Sequence, residues 1–178
     1  MPGTHRASST RISQSITKSR SSDLNNENLP VTSPSQPPPH FYAKAEEYWK
    51  HVPPTIDGML GGYSSLNVPD IADSHAFLEE FGPTTTAYAL DCGSGIGRIT
   101  KQLLLPRFTF VDMVEVTQAF LDKAEDYIGE DFENVGELFC VGLQEFIPPR
   151  GRYDLIWIQW VIGHLTDLTL VEFLKRCI

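Results

Sequence analysis

Residues 89 to 98 read ALDCGSGIGR, and residues 153 to 167 read YDLIWIQWVIGHLTD. In the first stretch Gly93, Gly95 and Gly97 alternate behind an acid, Asp91, where an apolar strand pattern gives way to a helical one. Alternating glycines let a backbone turn sharply and approach a ligand with no Cβ in the way, whereas a plain strand-to-helix turn needs only one. The pattern is that of a nucleotide-cofactor loop. A dinucleotide fingerprint spaces its glycines GxGxxG; here the spacing is GxGxG with an acid two residues ahead, which would repel a pyrophosphate. Glu115 ends the next apolar run, 18 residues past Gly97, where a carboxylate can accept from a ribose hydroxyl pair. The second stretch places Gln159, Trp160 and His164 where a buried strand should pass into ordinary turn residues. Polar groups at the carboxyl ends of parallel strands lie where open α/β sheets bind their ligands.

The elements that must hold these residues follow from periodicity. Phe41, Ala45, Tyr48 and Val52 share one helical face, and Pro53 and Pro54 stop that helix. The stretch TIDGMLGGY is rich in turns, and residues 68 to 82 predict a second helix that Asp70 or Asp73 could cap. From residue 86 strand and helix alternate. TAYALDCG is a strand, GRITKQLLLP a helix ended by Pro106, FTFVDMVEV a strand, and TQAFLDKAEDYIG a helix with Thr117 as N-cap and Gly129 as C-cap. GELFCVGLQEF and YDLIWIQWVI are further strands, and the last helix starts at Thr166 or Asp167. Strands joined through single helices predict an α/β fold with a parallel sheet and crossover helices.

Composition sets the limits. Residues 1 to 39 are dominated by Ser, Thr, Pro and Asn, contain no Phe, Tyr or Trp, and read as a disordered tail before a domain over residues 40 to 178. The acid-free, Ser- and Arg-rich first 22 residues also fit an organelle transit peptide, with a weak amphipathic pattern. Residues 41 to 178 carry 10 basic and 21 acidic side chains, a net of −11, against +2 for residues 1 to 40. Such acidity argues against a duplex nucleic-acid surface and suits a cationic partner, although it also simply keeps a domain soluble. Cys92, Cys140 and Cys177 have no metal-ligand spacing and fit a reduced compartment. No apolar run reaches the roughly 18 to 20 residues of a membrane span.

The loop Asp-x-Gly-x-Gly-x-Gly resembles motif I of the class I methyltransferases, and YWKHVPPTIDGMLGGY, LDCGSGIGRITKQLLLP, VDMVEVT, FCVGLQEF and YDLIWIQWVIGHLTD together resemble the α-N-terminal protein methyltransferases. The resemblance covers roughly residues 41 to 176, and its Trp-Ile-Gln-Trp-Val-Ile-Gly-His string is more specific than the glycine loop. It implies a Rossmann-like class I fold, S-adenosyl-L-methionine as cofactor, protein substrates with a free X-Pro-Lys or X-Pro-Arg N-terminus, and a cytoplasmic and nuclear setting. It also implies cofactor contacts from Trp49, Asp91, Gly93, Arg98 (to the carboxylate end), Glu115, Val116, Thr117, Leu143, Gln144 and Gln159. Trp160, Tyr48, Leu60 and Ile56 would bind substrate, and His164 would stand near the reacting amine.

The family continues past the point matching Ile178 with a further strand, a helix and an antiparallel pair. The expectation from sequence is therefore an incomplete methyltransferase domain whose fourth strand is an aggregation-prone sheet edge. The competing reading is a catalytically impaired cofactor-binding or interaction module derived from that enzyme. An NAD-binding protein is disfavoured by the glycine spacing, and a small-molecule amine methyltransferase has no need of the Trp-Ile-Gln-Trp string.

Overall fold

The structure, a computed structural model, describes residues 40–178. The expected tail and its targeting alternative lie outside the described residues. Helices α1 (Phe41–Lys50), α2 (Ile56–Met59) and α3 (Asn67–Phe81) precede strands β1 (Tyr88–Cys92) and β2 (Phe110–Glu115). Helix α4 (Gln118–Ile128), strands β3 (Val135–Cys140) and β4 (Leu155–Ile158) and helix α5 (Asp167–Arg176) complete the chain. The strands form one parallel sheet in the order β3-β2-β1-β4, so the chain reverses direction across the sheet between β1 and β4. In open α/β sheets such a switch point opens a crevice at the strands' carboxyl ends.

Alternation along the strands divides the core. Ala89, Val111, Leu155 and Trp157 face α3 and the helical turn after the glycine loop, through Leu78, Ile99, Leu103 and Leu104. Met113, on the same face, meets Leu121, Ala124 and Ile128 of α4. Leu90, Cys92, Val114, Ile156 and Ile158 pack on the other face around Phe173 of α5 and Phe146. The central strands β1 and β2, buried on both faces, lack the alternation of a half-wet sheet, whereas β3 is largely exposed and β4 half-buried.

Several local expectations are corrected. The helix predicted for residues 97 to 106 is wound partly as a π-helical turn, Thr100–Leu104, with Leu105 N–H bonding to the Thr100 carbonyl at 2.9 Å. No helix links β3 to β4; residues 141 to 154 cross as a loop anchored by buried Leu143 and Phe146. β4 is four residues long, not ten, because the backbone turns left-handed at Trp160 (φ 60°). Neither Asp70 nor Asp73 caps α3, which begins at Asn67, and Thr117 precedes α4 without a capping bond. Thr166 does cap α5, accepting from Thr169 N–H.

One buried acid shapes the sheet itself. Asp112, in mid-β2, is fully buried and accepts from Arg152 Nε at 2.7 Å, Tyr153 Oη at 2.8 Å and the Glu137 backbone N–H at 2.8 Å. That last bond substitutes a carboxylate for a ladder carbonyl, and the β2–β3 register slips between Val111 and Met113. A side chain at Gly136 would place its Cβ 2.2 Å from Asp112 Oδ1, so only glycine fits opposite. Only the carboxylate is buried; Arg152 is 31% exposed and can be rehydrated, so losing Asp112 costs its hydrogen bonds to a charged group, about 1.5 to 3 kcal/mol. Asp112→Ala is therefore expected to lower the unfolding free energy by about 2 kcal/mol, measured by chemical denaturation; a loss below about 1 kcal/mol would show the cluster to be no stronger than a surface pair.

Candidate active site

The carboxyl ends of β1 and β2 are tied together by the glycine loop. The amides of Gly93 and Ser94 both donate to the Val114 carbonyl, at 2.8 and 3.1 Å. Gly93, Gly95 and Gly97 all have positive φ (69°, 56° and 84°), the conformation that made three glycines necessary. The loop then turns the Gly95 N–H onto Glu115 Oε2 at 3.1 Å, while Thr117 N–H donates to Oε1 at 2.8 Å. Burial raises the Glu115 pKa, and these backbone donors oppose the shift. Asp91, also buried, accepts from Thr100 Oγ1 at 2.7 Å; burial pushes its pKa up to about 6 against the pull of Thr100 and Arg98.

A cleft with about 990 Å³ of atom-free space, its open mouth included, lies over this loop. Asp91, Gly93, Arg98, Glu115, Val116, Leu143, Gln144, Gln159, Trp49, Trp160 and His164 all line it, so residues scattered over more than a hundred positions in sequence come together there. Thr117 stays behind the wall, acting through its N–H on Glu115. Tyr48 does not reach the cleft: it is 60% exposed, one helical step from Trp49, which points inward. Ile56 and Leu60 also miss the wall, because Met59 of α2 reaches the glycine loop between them.

Around the rim the aromatic groups meet edge to face. Trp49 packs against His164 with ring centroids 5.5 Å apart and against Phe120 at 6.2 Å. His164 closes a short 3₁₀ turn, Ile162–His164. Gln159 is held on both sides, its Oε1 accepting from Trp157 Nε1 at 2.7 Å and its Nε2 donating to Asp70 Oδ1 at 2.8 Å. Arg98 is 2.8 Å from Asp70 Oδ2 and donates to Asn67 Oδ1 at 3.2 Å, so its guanidinium is already paired as well as facing the cleft.

Sequence reasoning missed Met59, Phe120 and Ser94 on the cleft wall. Ser94 could have been found, since it sits between two loop glycines; its Oγ is buried with no hydrogen-bond partner, in a cleft where a polar ligand could supply one. That orphan hydroxyl, two buried carboxylates and an apolar floor at Leu143 fit a zwitterionic ligand with a ribose and a planar base.

Residues 38–178 match the model of the AdoMet dependent proline di-methyltransferase family. The chain belongs to that family. Among curated relatives, N-terminal Xaa-Pro-Lys N-methyltransferase 1 of Danio rerio is 63% identical over 142 residues, and that of Mus musculus is 60% identical over 142 residues. These matches cover 77% of this chain and 64% of each relative, so the chain spans under two thirds of the relatives' length. A SAM-dependent methyltransferase structure from Leishmania major superimposes with a TM-score of 0.73 at 39% identity, covering 77% of this chain and 55% of that one. A phosphoethanolamine N-methyltransferase from Haemonchus contortus, solved with S-adenosylhomocysteine, shares the fold at a TM-score of 0.61 and 22% identity, over 77% of this chain and 28% of that one. The class I methyltransferase fold expected from the sequence is thereby established.

Asp91 gives the family's cleft a pH signature. Its pKa rises from 3.8 to about 6 on folding, so between those values the folded chain holds a proton the unfolded chain has lost. Stability therefore falls as pH rises through that window and stays lower above it, by an amount on the order of 3 kcal/mol. Glu115, shifted in the same direction, adds to the slope. Asp91→Asn is expected to flatten the stability profile between about pH 4 and 6 and to raise the melting temperature at neutral pH. Thermal unfolding of both proteins across that range checks this; parallel profiles would show that Asp91 ionises normally.

Proposed function

We propose that the protein containing this chain transfers methyl groups from S-adenosyl-L-methionine to the α-amine of protein N-termini of the Xaa-Pro-Lys or Xaa-Pro-Arg type. The observation that carries the reading is the pair of buried carboxylates, Asp91 and Glu115, facing one cleft beside the glycine loop. Buried acids that close together are costly unless a ligand uses them. The curated relatives bear N-terminal Xaa-Pro-Lys methyltransferase names, which supports a protein N-terminus of that type as the second substrate.

When bound, the cofactor supplies an electrophilic methyl group. Each Glu115 oxygen takes one backbone N–H and keeps lone-pair capacity for a ribose hydroxyl. Asp91, ionised at neutral pH, provides counter-charge for a cationic ligand, and the free Ser94 hydroxyl a further partner. Leu143 offers an apolar face for a base and Gln144 a polar edge, while Trp49 and Phe120 exclude water. The nucleophile must be the neutral amine, whose pKa is about 7.7 to 8.0 in water, so modest proton acceptance suffices. His164, held against Trp49 at the rim, is the acceptor we assign. Positioning of amine and methyl group accounts for much of the rate. The net charge of −11 over residues 41 to 178 favours a substrate with Lys or Arg in third place.

Isothermal titration of S-adenosylhomocysteine into the 178-residue chain should give saturable binding, weakened about tenfold or more by Glu115→Ala. Mass spectrometry of an Xaa-Pro-Lys peptide treated with the full-length protein should find the methyl on the α-amine, and prior acetylation of that amine should abolish it. Titration with no heat and no saturation by the folded chain would refute the cofactor assignment; methylation of the acetylated peptide would refute the substrate assignment.

A further inference from the structure

Three cleft residues from two distant parts of the chain, Arg98, Gln159 and Trp160, converge on one carboxylate that does not itself line the cleft. Asp70 of α3 stands behind the wall. Its Oδ1 accepts from Gln159 Nε2 at 2.8 Å and from Trp160 Nε1 at 2.9 Å, and its Oδ2 lies 2.8 Å from Arg98 Nη2. The two side chains of the ion pair are 6% and 14% exposed, so neither charge is well solvated. Ser74, one turn along α3, donates to the Asp70 backbone carbonyl at 2.8 Å and to Gln159 Oε1 at 3.3 Å, tying the same glutamine to the same helix.

What this carboxylate holds is under strain. Trp160 adopts φ 60°, a left-handed conformation that a bulky residue rarely takes unless its surroundings impose it. The residue is 66% exposed, so burial does not hold it there; the indole N–H bond to Asp70 is its one polar anchor among the described residues. The conformation decides the wall, since turning the backbone at Trp160 ends β4 and returns Val161 over the glycine loop, within 2.6 Å of where a Cβ on Gly93 would stand. Gln159, immediately before the turn, has both ends of its amide fixed by the same arrangement.

We propose that Asp70 is a positioning residue of the methyl-transfer site: it latches the strained turn at Trp160, fixes Gln159 and pairs with Arg98, and so sets the shape of the cleft from outside. This rests on the function proposed above and adds a residue to it. Asparagine at this position keeps a carbonyl oxygen able to accept both N–H bonds but loses the charge and turns an amide NH2 toward Arg98; alanine loses the bonds and the charge.

The test combines two readouts on wild type, Asp70→Ala and Asp70→Asn. The first is the near-ultraviolet circular dichroism of the cofactor-free chain, with Trp160→Phe as the reference spectrum that identifies the Trp160 band. The second is the affinity for S-adenosylhomocysteine by titration. Asp70→Ala is expected to lose the Trp160 band and to weaken binding by about tenfold or more, while Asp70→Asn retains the band and binds more tightly than Asp70→Ala but more weakly than wild type, because Arg98 loses its partner. If Asp70→Ala keeps both band and affinity, or if Asp70→Asn falls as far as Asp70→Ala in both, Asp70 does not position the site. Wild type that binds while Asp70→Ala is unaffected overturns this inference alone; wild type that does not bind overturns the function on which it rests.

Discussion

A single carbonyl, that of Val114 at the end of β2, accepts the amides of both Gly93 and Ser94, and the site is assembled from that clasp. The bonds draw the loop after β1 across the end of β2, which requires left-handed backbone at the loop glycines. Once it lies there, Gly95 N–H points at Glu115, and a carboxylate that burial would otherwise penalise receives two backbone donors. The same turn starts the helix whose Thr100 hydroxyl bonds Asp91, and its first turns carry Arg98 to Asp70. Substituting any loop glycine would cost more than a local strain, because both acids take their environment from the path of this backbone.

The opposite wall depends on strand register. Asp91 pairs with Trp157 and Cys92 with Ile158, so Gln159 emerges beside the first loop glycine only because β4 lies against β1 in parallel at that offset. A slip of one residue would send Gln159 to the other face and remove the bond from its Nε2 to Asp70 Oδ1. Register is secured by burial of Leu155 and Trp157 on one face and Ile156 and Ile158 on the other, and by Asp154, which accepts from Ala87 and Tyr88 N–H at the strands' opposite end. Packing at one end of the pair therefore fixes geometry at the other.

The alternation of strand and helix, the parallel sheet, the ligand end of that sheet and most of the cleft wall were legible in the sequence, because each has a local signature in periodicity, glycine spacing or a polar residue ending an apolar run. The failures lie where long-range contacts override local signals. Asp70 reads locally as a helix cap, yet its partners Gln159 and Trp160 are 89 and 90 positions away. The run from Tyr153 to Ile162 looks like one strand because Trp160, Val161 and Ile162 are apolar, and nothing in a tryptophan announces a left-handed backbone. The choice between Tyr48 and Trp49, or between Ile56, Met59 and Leu60, turns on helical phase relative to a neighbour that the sequence leaves unspecified. The π-helical turn at Thr100–Leu104 has no residue signature, although it lies directly after the loop where such distortions accompany function.

The electrostatics of the cleft tie these features to chemistry. Asp91 and Glu115 repel each other, and each is desolvated, so an empty cleft holds unfavourable energy. The nearest cation, Arg98, is shared with Asp70 and cannot neutralise both. A ligand carrying positive charge relieves the penalty directly, whereas a pyrophosphate would add to it, which separates a sulfonium-bearing amino-acid cofactor from a dinucleotide on physical grounds and not only on glycine spacing. At pH values near 6, a proton and such a ligand compete for the same Asp91 carboxylate. The burial that lowers the stability of the unliganded chain is thus the feature that makes cation binding favourable, and the strain held at Trp160 fits the same pattern of stability given up at the site where binding recovers it.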